Sequence, residues 1–195
     1  FHLYFTERII MYADDILLVA PTVTALQLLL KMCENELNWL AMSINASKSA
    51  CLRIGKDYKT VPVCIRTIDG REIPWQDNVR YLGMHPVANN VFTCSFDNTK
   101  KSHYRAFNAI YSKIGGIASE EVILRMLKMK CLLVLLYGTD VCPVNKKQLK
   151  SLEYVLTCSL MKIFRTKSRD VVDYCMKFLG LSSIEHVVLK RKNSF

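Results

Sequence analysis

Asp14 and Asp15 stand side by side between two apolar, β-rich runs, residues 8–12 (RIIMY) and 16–20 (ILLVA). Ala13 and the two acids therefore read as the tip of a β-hairpin. Adjacent carboxylates at such a turn have a specific use: their hard oxygen atoms, aimed into a cleft, hold a divalent cation. Two-metal phosphoryl chemistry places its ions about 3.5–4 Å apart and needs several carboxylates. One ion activates the attacking oxygen and the other steadies the leaving group. A tight turn fixes such ligands better than a loose loop. The plain alternative is a solvated Asp-Asp turn.

The elements that must position this pair follow from the pattern around it. Pro21 ends the second strand. Leu26, Leu29, Leu30, Cys33, Leu37, Leu40 and Ala41 then recur at steps of three and four, which predicts an amphipathic helix over about 23–42, capped by Thr22 or Thr24. Its apolar stripe is expected to cover one face of the hairpin sheet. A polar turn follows at 43–49, then short strands over 50–54, 61–68 and 79–84, with Asp69-Gly70 as a hairpin turn before 71–74. From about 98 the period becomes helical. Tyr104, Phe107, Tyr111 and Ile114 form one stripe, stopped by Gly115-Gly116. Ser119 caps a second helix running to about Tyr137, ended by Gly138. Asn145 and Gln148 fit a capping box that opens a third, and a shorter helix is expected over 170–179 before a basic tail at 190–192. The expected boundary lies near 90–98.

Charge separates the same two regions. Residues 1–97 hold 9 Lys/Arg against 10 Asp/Glu, whereas residues 98–195 hold 18 against 7. The second region is a basic body that attracts a polyanion such as DNA or RNA, because neutralised phosphates release counterions. A hydrophobic fraction of 51% excludes disorder. The longest apolar runs, such as 131–137 (CLLVLLY), are far shorter than the roughly 20 residues of a spanning helix. No signal peptide is read at the start, and no pair of the eight cysteines has Cys-x-x-Cys spacing. Reduced, structural cysteines in an intracellular protein are expected, with nucleus or cytoplasm left open.

The stretch MYADDILLVAP closely resembles the catalytic signature of reverse transcriptases, an aromatic residue followed by Ala-Asp-Asp between two apolar strands. Tyr12, Ala13, Asp14 and Asp15 match it residue by residue. Asn45 and Lys48 match the Asn-x-x-Lys loop that follows the helix in such polymerases. Tyr81, Leu82 and Gly83 match a Tyr-Leu-Gly hairpin of the non-LTR retrotransposon (LINE-like) enzymes, and Leu136-Tyr137-Gly138 matches a later Leu-Tyr-Gly-like stretch. The resemblance covers nearly the whole chain, most sharply 8–84.

That resemblance implies an α+β fold: a partial polymerase palm over 1–97, with a β-hairpin, a packed helix and small antiparallel strands, followed by an α-helical thumb over 98–195. It implies RNA-directed DNA polymerisation in the intact enzyme. A primer 3′-oxygen attacks the α-phosphate of a dNTP, two Mg²⁺ ions stabilise the charge, and pyrophosphate leaves. Asp14 would be the main metal ligand and Asp15 the second, and Lys48 would lie near the incoming triphosphate. Tyr12 would lie near the primer end, and Tyr81, Leu82 and Gly83 would form the primer grip. Lys100, Lys101, Arg105, Lys113, Lys128 and Lys130 would hold template and primer through their phosphates. The implied partners are an RNA template, a DNA primer, a dNTP and an N-terminal fingers and palm segment carrying a further metal-binding Asp. No membrane is implied.

Only eleven residues precede Tyr12. The expectation is therefore a fragment, the back half of the palm plus the thumb, inactive alone. The competing reading is a non-catalytic nucleic-acid-binding protein, or a relic, made from the same fold. Hydrogen exchange is expected to open 1–60 faster than 120–165.

Overall fold

The computed structural model describes residues 8–60 and 63–193. It is mixed α+β and divides into two units: the described part of 1–79 with Val87–Val91, and Arg80–Pro86 with Phe92 onward.

In the first unit, β1 (Arg8–Tyr12) and β2 (Asp15–Val19) form an antiparallel hairpin, with Tyr12 opposite Asp15 and Arg8 opposite Val19. This register leaves a two-residue loop of Ala13 and Asp14, the shortest common hairpin connection. Helix α1 (Val23–Trp39) starts where Thr22 Oγ1 accepts the Ala25 N–H at 3.1 Å. It stops at Trp39, short of the expected 42, because Ala41 takes a left-handed φ of +57°. The apolar stripe buries Leu29, Leu30, Cys33 and Leu37. Leu30 joins Ala46, Cys51, Ile65 and Ile73 in a small core, with Leu18 of β2 packed against it. Because side chains alternate along a strand, Asp15 lies on the hairpin face opposite Leu18.

β3 (Ile65–Arg66) and β4 (Glu72–Ile73) pair antiparallel around the expected Asp69-Gly70 turn, Gly70 carrying φ +80°. Two side chains of α1 hold this hairpin. The Gln27 amide donates to Arg66 C=O and accepts from Arg66 N–H, and Glu34 accepts the Ile68 N–H. The longer strands expected over 50–54 and 61–68 are not there. The first is reduced to isolated bridges at Cys51 and Ile54, and the second to β3, with residues 61 and 62 outside the described residues.

The second unit is helical: α2 (Asp97–Ile114), α3 (Glu120–Met126), a π-helical turn (Leu127–Cys131), α4 (Leu132–Leu135), α5 (Lys146–Ile163), α6 (Arg169–Phe178) and α7 (Ile184–Asn193). β5 (Pro86–Val87) straddles the division and β6 (Thr93–Cys94) precedes α2. The helix expected over 119–137 is thus broken by the π-turn, where the Leu132 N–H bonds Leu127 C=O. At that turn His103 of α2 is 0% exposed. Its Nδ1 lies 3.1 Å from Cys131 O and its Nε2 2.9 Å from Ser159 Oγ of α5. A carbonyl only accepts, so Nδ1 carries the proton and Nε2 takes the Ser159 hydroxyl. Burial holds the ring below the ordinary histidine pKa.

The capping box opens α5 as expected, and Gln148 also donates to Cys94 C=O. The residues at 190–192 end a helix rather than form a tail. The carboxylate of Glu153 on α5 accepts the Ile184 N–H at 2.7 Å and so caps α7. Burial raises the pKa of Glu153, against the lowering effect of that N–H. Cys94 and Cys142 are joined as a disulfide, contrary to the expectation of reduced thiols throughout; the six others are free. The pair is 48 residues apart in sequence and comes together because the segments leading into α2 and α5 converge.

Candidate functional site

The acidic hairpin has the geometry its sequence suggests. Ala13 has φ +52° and Asp14 does not share a positive φ. Left-handed backbone at the first loop position alone is the type II′ arrangement, which ordinarily favours glycine there. A non-glycine residue in it stores strain of about 1 kcal/mol or more. The turn puts Asp14 at the tip and Asp15 at the first residue of β2, and both are exposed. Tyr12, 64% exposed, is directly across the ladder from Asp15, so the two share one face.

Lys48 belongs to the same unit and is exposed. Its turn is built by Asn45, whose side-chain oxygen accepts from Ser47 N–H, Ser47 Oγ and Lys48 N–H. Ala46 is buried in the small core beneath. The Asn-x-x-Lys spacing thus has a physical reason: the asparagine closes the turn, the alanine anchors it, and the lysine is left in solvent.

A divalent cation would meet only two carboxylates here. Among the described residues no group of three or more His, Cys, Asp or Glu side chains is placed to hold a metal. Two exposed acids are too few oxygen donors for a pair of ions, so the residues present do not make a two-metal site by themselves.

In the second unit, Tyr81, Leu82 and Gly83 do not continue a strand over 79–84, as expected from their composition. Tyr81 N–H bonds Met84 C=O and Met84 N–H bonds Tyr81 C=O, while Leu82 and Gly83 turn back with φ +47° and +76°. Positive φ at both loop positions is the type I′ pattern. The Tyr81 hydroxyl is buried with no partner among the described residues. The Tyr137 hydroxyl donates to Leu82 C=O at 2.7 Å. The Tyr-Leu-Gly and Leu-Tyr-Gly stretches, 55 residues apart, therefore meet. Sequence reasoning singled out both without pairing them, and Tyr137 was given no role.

The six expected phosphate contacts separate into two kinds. Lys100 is 24% exposed and already engaged, 2.7 Å from Asp97 Oδ1 and 3.0 Å from Ser151 Oγ. Its hydrogen bond to Asp97 holds that carboxyl below its ordinary pKa. Lys101, Arg105 and Lys113 on α2, and Lys128 and Lys130 on the π-turn, are exposed. Lys101 and Arg105, four apart, share one helix face.

Residues 2–86 match the family model described as Reverse transcriptase (RNA-dependent DNA polymerase). This segment is similar to a reverse transcriptase domain. The match takes in the acidic hairpin, α1, the Asn45–Lys48 turn and the 81–84 turn, and it supports a reverse-transcriptase-type polymerase. No curated protein and no solved structure matches the chain. Reverse transcriptases use divalent metal ions, an RNA template, a primer and dNTPs. No helix among the described residues is long and apolar enough to cross a membrane.

Proposed function

We propose that this chain carries the acidic hairpin and the nucleic-acid-holding helices of an RNA-directed DNA polymerase of the non-LTR, LINE-like kind. Residues 1–97 act as the later part of a palm and residues 98–195 as a thumb. The observation that carries the reading is the hairpin: two adjacent carboxylates, Asp14 in a strained two-residue turn and Asp15 at the start of β2, inside the segment that matches the reverse transcriptase model. Asp14 and Asp15 offer oxygen ligands for Mg²⁺, Lys48 meets the triphosphate, and Tyr12 lies on the face of Asp15 towards the primer end. The non-LTR assignment is supported by the Tyr81–Gly83 and Leu136–Gly138 stretches and their contact.

By itself the chain does not extend a primer, because two acids are too few to place two ions. The decisive assay is primer extension by the purified chain on an RNA template with Mg²⁺ and dNTPs. No product is expected, and extension overturns the claim of inactivity. A complementing polypeptide that supplies a third carboxylate should restore synthesis, and Asp14→Ala should abolish it again without altering duplex affinity.

The short donor set favours a second reading, a non-catalytic nucleic-acid-binding protein. It predicts the same duplex affinity and no complementation. In both readings Lys101→Gln and Arg105→Gln lower affinity, and each reduces the salt slope by about one.

A further inference from the structure

The bond between Cys94 and Cys142 sits at odds with the chemistry proposed for the helical unit. A chain that draws on dNTPs and RNA works where thiols are kept reduced. Cys94 ends β6 just before α2, and Cys142 lies just before α5. From there the two helices run in the same direction and touch along their length. Lys100 Nζ donates to Ser151 Oγ at 3.0 Å, His103 Nε2 lies 2.9 Å from Ser159 Oγ, and Lys162 Nζ donates to Asn108 Oδ1 at 3.0 Å. The bond therefore ties the roots of two helices that already pack together. The two Cα atoms are 6.3 Å apart, a separation that a disulfide spans without backbone movement.

The fold holds both partners in place without the bond. Gln148 Nε2 donates to Cys94 C=O at 2.8 Å, and the Cys142 N–H donates to Gly138 C=O at 2.9 Å. Met84 Sδ lies 3.6 Å from Cys142 Sγ, where it can accept weakly from a reduced S–H. Gly138 leaves that thioether its room, since a Cβ there would meet Met84 Sδ at 3.2 Å. Access to the pair is local. Both cysteines are buried, but Val141 and Pro143 on either side of Cys142 are exposed, in an irregular segment between α4 and α5. Such a segment opens at far lower free energy than the packed helices around it. The other buried cysteines, Cys33, Cys51 and Cys131, are free, and burial raises the pKa of each, which keeps them as unreactive thiols.

We propose that Cys94 and Cys142 form a reversible redox clasp, closed by a small-molecule disulfide such as glutathione disulfide and opened by thiols, that sets how readily the roots of α2 and α5 open. On closing, the Cys142 thiolate attacks one sulfur of glutathione disulfide and expels a glutathione. The Cys94 thiolate then attacks the mixed disulfide and expels the second. Two electrons pass to glutathione, and the two protons given up by the cysteines end on its thiols. The closed clasp makes a loop of the chain between them, which holds α2, α3, the π-turn and α4, and it restricts the opened state more than the folded one. The reducing setting rests on the polymerase reading above; the clasp itself does not.

The test takes the full chain through glutathione buffers from reducing to oxidising and back. At each step free thiols are alkylated and the peptides weighed, and helical circular dichroism, amide exchange and binding of a primer–template duplex are measured. Cys94 and Cys142 should convert to the disulfide and back while the other six cysteines stay alkylatable. The dichroism at 25 °C should be the same in both states. The thermal midpoint should be higher in the oxidised state by about 10 °C or more. Exchange in the first turns of α2 and α5 should be slower there by about tenfold or more. Cys94→Ala should show no difference between the buffers, which separates the clasp from general effects of the oxidant. Loss of the helices on reduction overturns the proposal, because the bond is then a fixed part of the fold. A pair that stays reduced in glutathione disulfide, or midpoints and exchange that do not differ between the two states, also overturns it. A working clasp in a chain that binds no duplex upholds the clasp and sinks the polymerase reading; duplex binding without a clasp does the reverse.

Discussion

The unit that carries the acids and the unit that carries the cations are built to different standards. Around α1 the described core cluster has five buried residues, Leu30, Ala46, Cys51, Ile65 and Ile73. In the helical unit the corresponding cluster has nineteen, from Cys94 to Val188. The hairpin leaves Ile9, Ile10, Met11 and Tyr12 exposed, and α1 leaves Leu28, Met32 and Trp39 exposed. Burial of apolar area is the main favourable contribution to folding, so the stability of the two units should differ in the same direction. The difference teaches that the carboxylates sit on the more weakly supported part of the chain. Their placement depends on a strained turn and a shallow core, whereas the lysines stand on a well-packed helical body.

The largest expected effect comes from that body. Leu156 of α5 is 1% exposed, and Leu156→Ala should destabilise the helical unit by about 2–5 kcal/mol. Leu30→Ala should cost the first unit about 2 kcal/mol, at the lower end, since a shallow site collapses more readily. Both tryptophans, Trp39 and Trp75, belong to the first unit, so their fluorescence reports on it while far-ultraviolet circular dichroism reports mainly on the helices. L156A should move the dichroism transition and leave the fluorescence transition in place. Coincident transitions in the unchanged protein and in both variants would break the comparison.

Acid should act next, and on the helical unit alone. His103 is buried neutral with a pKa held below its unfolded value of about 6.5. Below that value the unfolded chain binds a proton that the folded chain refuses. Stability therefore falls as pH drops from about 6.5 towards the folded pKa, by up to about 1.4 kcal/mol per pH unit, and is flat above. Denaturant midpoints by circular dichroism between pH 7.5 and 5 measure this. His103→Gln should remove this fall and leave only the opposite contribution of Glu153, whose raised pKa favours the folded state as pH drops; an unchanged slope would assign the fall to another group.

The smallest effects sharpen the comparison at the helix starts. Thr22→Ala removes the cap of α1, and Asn145→Ala removes the capping box of α5; each should cost about 1 kcal/mol. The same loss is a larger share of the first unit's stability. Thr22→Ala should therefore populate an opened state, seen as faster amide exchange in α1, whereas Asn145→Ala should change only the first turn of α5.

What could be read from the sequence was what local rules control. The acidic hairpin followed from two β-rich runs and the three residues between them, of which Asp15 turns out to begin β2. The stripe of α1, its Thr22 cap and the Asn145 capping box followed from spacing alone. The 79–84 segment was misread because β propensity in Val79 and Tyr81 is overruled by the turn at Leu82 and Gly83, which contacts from Tyr137 impose. The Cys94–Cys142 pair and the Glu153 cap on α7 were invisible for the same reason, since each joins residues dozens of positions apart. At the candidate site, residue types singled out Asp14, Asp15 and Lys48 as candidates, but nothing local assigned Lys100 to Asp97 and Ser151 rather than to a phosphate.

The π-turn at Leu127–Cys131 fits one more residue into its span than an α-helix would. Deleting a single residue there would let α3 and α4 fuse into one regular rod, and each residue counts for about 100° of rotation. The Cys131 carbonyl would swing off the His103 ring, stranding a polar imidazole in an apolar interior. Length at 127–131 and histidine at 103 are thus coupled through one carbonyl, and shortening the turn should be tolerated better when His103 is replaced by an apolar residue.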